Sequence, residues 1–268
     1  MIDQQELRRE SAAHFRTRQV LLNPEGDITP YGPALSFAEM QTLRQRGEIK
    51  TIAGGQLFAN LGISLQLIVH HKGRKALVLV QQGDVLKLVS GYVPVEHLDN
   101  PLKTAWAELM EEVLPIDGDN RLYGFAVNGE PLDDPYLLQR EGLLDVKPAD
   151  FLVGLESEML SFNKAESFWP VTSYQHGETA SLQLVYPVSV TLPDTITLHH
   201  ADDMFDPDSD ELISRFDPSC CCLLMELTSY SQPTGKVFTL EQGEWLLVDV
   251  GKHPLSEFFR VADPKFIA

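Results

Sequence analysis

Three glutamates, Glu108, Glu111 and Glu112, stand at i, i+3 and i+4 in the segment PLKTAWAELMEEV. On a helix of about 3.6 residues per turn those positions share one face. Three carboxylates on one rigid face repel one another unless a cation offsets them, and hard oxygen donors so arranged suit Mg2+ or Mn2+. A metal held there would neutralise an anionic substrate and orient or activate a water. The same string also suits a solvated acidic face in an acidic protein, and spacing alone does not separate the two readings.

The elements that must position these groups can be read on either side of them. Asn100 is a favoured helix cap and Pro101 suits the first helical position. Leu102, Ala105, Trp106, Leu109, Met110 and Val113 follow the apolar spacing of one helix face, and Pro115 ends it, which predicts a helix over 101–113. Upstream lie three short apolar runs, SLQLIVHH (64–71), KALVLVQQ (75–82) and VLKLVSGYV (85–93). Turn residues 71–74 and 83–84 separate them, so three strands are expected to lead through a loop into the helix.

In that context residues 64–115 resemble the core of a Nudix hydrolase, whose signature is G-x5-E-x7-R-E-U-x-E-E-x-G-U with U a bulky aliphatic residue. From Gly91 the chain reads GYVPVEHLDNPLKTAWAELMEEVLPI, and Ala107–Glu112 overlays R-E-U-x-E-E with Glu108, Leu109, Glu111 and Glu112 matching. The family arginine is Ala107 here, and the glycine after the helix is Leu114. Strict spacing puts the first motif glycine at Val93 and the first glutamate at Asp99; a longer loop lets Gly91 serve, with Glu96 or Asp99 in the acidic role.

The resemblance implies an α+β fold, a Nudix-like mixed β-sheet sandwiched by helices, over 61–268, with 1–60 an N-terminal extension packed on it. It implies metal-dependent cleavage of a nucleoside diphosphate linked to another moiety. Mg2+ or Mn2+ would sit at Glu108, Glu111 and Glu112, the last two the main ligands and Glu108 a ligand or base. Asp202, Asp203 or Glu178 would supply a further acidic group. Loss of the arginine removes an ion pair that orients the catalytic glutamate. A catalytically degenerate module that binds a nucleotide or a protein partner is therefore the alternative.

Elsewhere the pattern predicts a helix over 4–20 and a turn-rich stretch over 22–34. A short helix over 37–46 is capped by Ser36 and closed by Gly47. Strands are expected at 121–129, 181–192, 221–230, 236–240 and 244–251. Turns are expected at 233–235 and at Gln242-Gly243. Weak or short helices are expected over 151–160, 210–216 and 255–262. His199-His200-Ala201-Asp202-Asp203 reads as an exposed acidic loop more readily than as a second metal cluster, since adjacent residues rarely converge on one ion. His70-His71 reads as the surface end of a strand. Trp169 and Tyr174 suit either base stacking or packing. Ser90 and His97 lack the G-x-S-x-G pattern of a nucleophile elbow, and there is no P-loop or G-x-G-x-x-G. Cys220, Cys221 and Cys222, the only cysteines, read as small buried thiols in a strand.

Composition bounds the partners. The net charge of −18 disfavours nucleic acid, while a bound cation would still admit a nucleotide derivative. No apolar run is long enough for a membrane helix and MIDQQELRRE has no signal-peptide pattern, so a cytoplasmic chain is expected. Oligomeric state is not encoded in any of these patterns.

Overall fold

The computed structural model describes residues 15–82, 85–127, 130–132, 147–148, 152–155, 172–176, 179–206 and 211–249. Along the chain the strands are β1 (Arg16–Leu22), β2 (Ile28–Ser36), β3 (Lys50–Ile52), β4 (Gly55–Phe58), β5 (Leu61–His71), β6 (Arg74–Gln82), β7 (Val85–Lys87), β8 (Val89–Tyr92), β9 (Val113–Asp117), β10 (Arg121–Leu122) and β11 (Phe125–Val127). They continue with β12 (Glu130–Pro131), β13 (Lys147–Pro148), β14 (Leu152–Leu155), β15 (Thr172–His176), β16 (Ser181–Thr191), β17 (Ile196–Asp206), β18 (Glu211–Cys221), β19 (Leu223–Leu227), β20 (Pro233–Glu241) and β21 (Glu244–Val248). Against these, the described residues hold two α-helices, α1 (Phe37–Arg46) and α2 (Leu102–Glu112), and one 3-10 turn at Val95–His97.

The expected α+β sandwich is therefore corrected: the chain is mostly β, built from several largely antiparallel sheets. The physical reason lies in segments whose local pattern suggested helix or turn but whose partners are strands. Residues 16–22 pair with both β2 and β4. Residues 152–155 pair with β11. In β18, Leu212 and Ile213 stand opposite Phe205 and Met204 of β17, so an acidic stretch expected to hold a short helix is half of a long hairpin. Strand preference reflects fit to neighbours, and here pairing overrides local pattern. The expected helix at 255–262 lies outside the described residues.

The chain divides into two compact units: 1–64, 90–105 and 160–186 form one, and 65–89, 106–159 and 187–268 the other, with breaks falling inside β5, β8, α2 and β16. In the first unit, β2-β1-β4-β3 make an antiparallel sheet. Pro30 and Pro33 sit in β2, the outermost strand, where a missing N–H costs no ladder bond. The α1 helix forms as expected. The Ser36 and Glu39 side chains and backbone amides cap one another, and Gly47 closes the last turn at φ 60° with its N–H on Arg44 O. Thr17 Oγ1 donates to Val93 O at 2.8 Å, and Ser181 Oγ donates to Asn60 Oδ1 at 2.6 Å. Arg44 donates to Ser181 Oγ and to the Tyr92 hydroxyl.

In the second unit the antiparallel run β5-β6-β19-β20-β21 carries the regions of interest. Leu65, Leu67 and Val69 of β5 and Leu77, Val78, Leu79 and Val80 of β6 are all buried. Strands buried on both faces read as continuous apolar runs, as these do. A second sheet runs β13-β10-β9-β17-β18 and a third β12-β11-β14. No helix among the described residues is long and apolar enough to cross a membrane.

Candidate functional site

The helix that carries the three glutamates forms where the sequence placed it. It is preceded by β6, β7 and β8 and followed at once by β9, so Pro115 lies inside a strand and does not act as a helix stop. Leu109 and Met110 are buried, while Glu108, Glu111 and Glu112 are all half-buried. The Glu112 carboxylate accepts from Lys87 Nζ at 2.9 Å, with the two side chains 15% and 17% exposed. That sheltering matters: a half-buried ion pair is screened little, and removing one partner leaves the other as an uncompensated charge. Among the described residues no three His, Cys, Asp or Glu side chains come together in a group that could hold a metal. Of the three glutamates expected from spacing to hold Mg2+ or Mn2+, Glu112 is paired with Lys87. Sharing a helix face brings the three glutamates near one another, and a lysine from β7 meets the last of them.

Beyond the helix end, His200 is buried. Its Nδ1 lies 3.0 Å from the Glu112 carbonyl oxygen and its Nε2 2.8 Å from that of Gln81. In the neutral ring only the protonated nitrogen donates, so His200 ties β17 to one of the two, the end of α2 or β6, and would bridge both only with both nitrogens protonated. The expected acidic loop at 199–203 is corrected, because all five residues lie in β17, with Asp202 and Asp203 opposite Arg215 and Ser214 in register. On the same strand His199 Nδ1 lies 4.0 Å from Cys221 Sγ, and Cys222 Sγ contacts His199 O at 3.3 Å. Cys221 ends β18 but is half-buried, and Cys222 is buried but lies between β18 and β19, so the expectation of buried thiols in a strand is met by each only in part.

Glu96 and Asp99, the alternatives for the first motif acid, are exposed, while Val93 is buried. His97 is held by Thr104 at 3.0 Å, and burial lowers its pKa. Glu178 and Trp169 lie outside the described residues, and Tyr174 falls in β15 opposite Gln183.

A second cluster escaped the sequence reading. His71, expected at the surface, is 1% exposed. Its Nδ1 accepts from Trp245 Nε1 at 2.9 Å, and its Nε2 lies 3.3 Å from Asp194 Oδ1. That second contact lacks hydrogen-bond geometry, so it acts as charge proximity. Burial lowers the His71 pKa, with Lys72 acting in the same sense and Asp194 and Glu244 opposing. Arg74 stacks its guanidinium 4.2 Å from the Phe238 ring centre and 4.5 Å from that of Trp245, and donates to Glu226. That arginine holds the Glu226 carboxyl below its ordinary range. Lys72 Nζ donates to Gly243 O at 2.8 Å and lies near Asp194 and Glu244. Gly243 itself has φ 77°, and a Cβ there would meet Asp194 O at 2.7 Å, so the β20–β21 turn accepts no larger residue without displacement. The one sequence signal was the density of His, Lys and Arg at the β5–β6 turn. It gave no hint of Trp245, which is far away along the chain.

Comparison with protein-family models, with curated proteins and with solved structures gave no match.

Proposed function

We propose that this chain is a non-catalytic binding module that recognises a polypeptide partner. The observation that carries the reading is the Lys87–Glu112 ion pair. The helix face offered by spacing for a divalent cation meets a cation of the chain itself, and Ala107 supplies no orienting charge beside it. Surface left for recognition includes the outer strand β21, where Leu246 is 46% and Leu247 69% exposed. The test is incubation of the full chain with nucleoside diphosphate derivatives and millimolar Mg2+ or Mn2+, following release of phosphate or nucleotide. No release above the buffer rate is expected. Metal-dependent release that is lost in Glu112→Gln would contradict the proposal.

A second reading, metal-dependent hydrolysis of a nucleoside diphosphate derivative, keeps one observation in its favour. Strands β5, β6, β7 and β8 lead through a loop into α2, which carries Glu108, Glu111 and Glu112, and that local order supports the reading. On that reading a divalent ion would displace Lys87 from Glu112 when substrate arrives, and the same assay decides between the two.

A further inference from the structure

We infer that β21 is a docking edge for an extended polypeptide segment that alternates apolar with basic residues and adds to the sheet as a further antiparallel strand. The inference rests on the binding-module reading and names the partner class.

Among the described residues β21 closes the run β5-β6-β19-β20-β21 and pairs on one side with β20. A sheet edge of this kind presents a row of backbone donors and acceptors, and proteins ordinarily blunt such edges with charge, proline or a bulge. Here the centre of the strand is Trp245-Leu246-Leu247-Val248, with regular register to β20 throughout. Gln242 and Gly243, at φ 50° and 77°, make the two-residue turn that closes the hairpin on the pair Glu241 and Glu244. Antiparallel pairs alternate outward from that closing pair, so the amides and carbonyls of Trp245 and Leu247 face the outer edge. Leu246 and Leu247 project to opposite faces and are both exposed, so an added strand whose apolar residues share one face finds an exposed leucine on whichever face that is. Trp245 is anchored behind them by His71, Arg74 and Phe238, which holds the edge in place before any partner arrives.

Charge selects the partner. Glu241 and Glu244 at the hairpin turn and Asp249 after β21 flank the apolar centre, with Lys72 3.6 Å from Glu244, and the chain as a whole carries −18. A second copy would bring the same charge to the same edge, whereas a basic strand is drawn to it. Backbone pairing supplies affinity in strand addition, and side-chain pockets supply selection.

The experiment is fluorescence polarisation of the full chain with a labelled peptide of alternating lysine and valine, beside a lysine–glycine peptide of equal charge and a glutamate–valine peptide. The lysine–valine peptide is expected to bind at least about tenfold more tightly than either control. Leu247→Pro removes an outward N–H while the inward ladder has no bond to lose there, and is expected to weaken binding by about tenfold. A melt of the variant beside wild type confirms that it is folded, and Leu246→Lys/Leu247→Lys provides a second test by replacing both apolar contacts with positive charge while keeping the backbone N–H groups. Equal binding of the two lysine peptides would reduce the effect to bulk charge and overturn the inference. So would unchanged binding in both variants. A concentration-dependent doubling of mass that Leu247→Pro abolishes would make a second copy the occupant, overturning it too. Hydrolysis of nucleoside diphosphates would strike the non-catalytic reading and leave these outcomes untouched, so the two failures are distinguishable.

Discussion

The carboxylate face of α2 and the aromatic end of the β20–β21 hairpin both shelter charge, and they do so in opposite ways. On α2 like charges come from one short segment, and Lys87 from a neighbouring strand meets Glu112, the last of them. At the hairpin the His71 ring, the cations Lys72 and Arg74 and the carboxylates Asp194, Glu226 and Glu244 interleave around two aromatic rings. The difference teaches that spacing which looks like chemistry and environment which can do chemistry are separate properties. The first is local; the second is assembled from positions 71, 194, 226 and 245.

The largest effect that would sharpen the comparison is at Trp245. Trp245→Ala removes the ring against Phe238, the face under Arg74 and the donor to buried His71, and is expected to cost about 3 kcal/mol in denaturant unfolding. A loss below about 1 kcal/mol would show that the hairpin cluster is not a packed unit. Next comes Lys87→Met, which takes the lysine cation from a half-buried Glu112 and is expected to cost about 2 kcal/mol at neutral pH. Glu112→Gln in the same background should recover part of that loss, and a double-mutant cycle with no coupling would break the ion-pair account.

The smallest effect is a pH dependence. Burial lowers the folded pKa of His71 below its ordinary value of 6.5, so the unfolded chain takes up the proton first. The contribution is complete above that ordinary value and is lost as pH falls through it toward the lower folded value. Chemical unfolding between neutral and mildly acid pH should therefore show declining stability, with a flatter profile in His71→Asn. The lowered carboxyl of Glu226 acts in a separate window, below the ordinary glutamate value of 4.5. An unaltered slope in His71→Asn would place the titration elsewhere.

How much of this was readable along the chain follows from the range of the forces involved. The α1 cap needed only Ser36, Glu39 and Gly47, and it formed as read. The α2 stripe and the strands before it were equally local. By contrast, β17 and β18 were missed because their signal resides in the pairing of 199–206 with 211–221. His71 was placed at the surface because its burial depends on Trp245, brought beside it by the order β5-β6-β19-β20-β21. The same limit of range applies to the carboxylate face: the three glutamates are visible along the chain, whereas the pairing of Glu112 with Lys87 depends on β7 meeting α2.

The most direct test of the account is a thermal melt of the full chain with and without millimolar Mg2+ or Mn2+, on wild type and on Glu111→Gln/Glu112→Gln. A ligand of the native state must raise the melting temperature. With Lys87 already on Glu112, no metal-induced rise is expected in wild type. A rise in wild type that vanishes in the double variant would place a divalent cation on the helix and contradict the account.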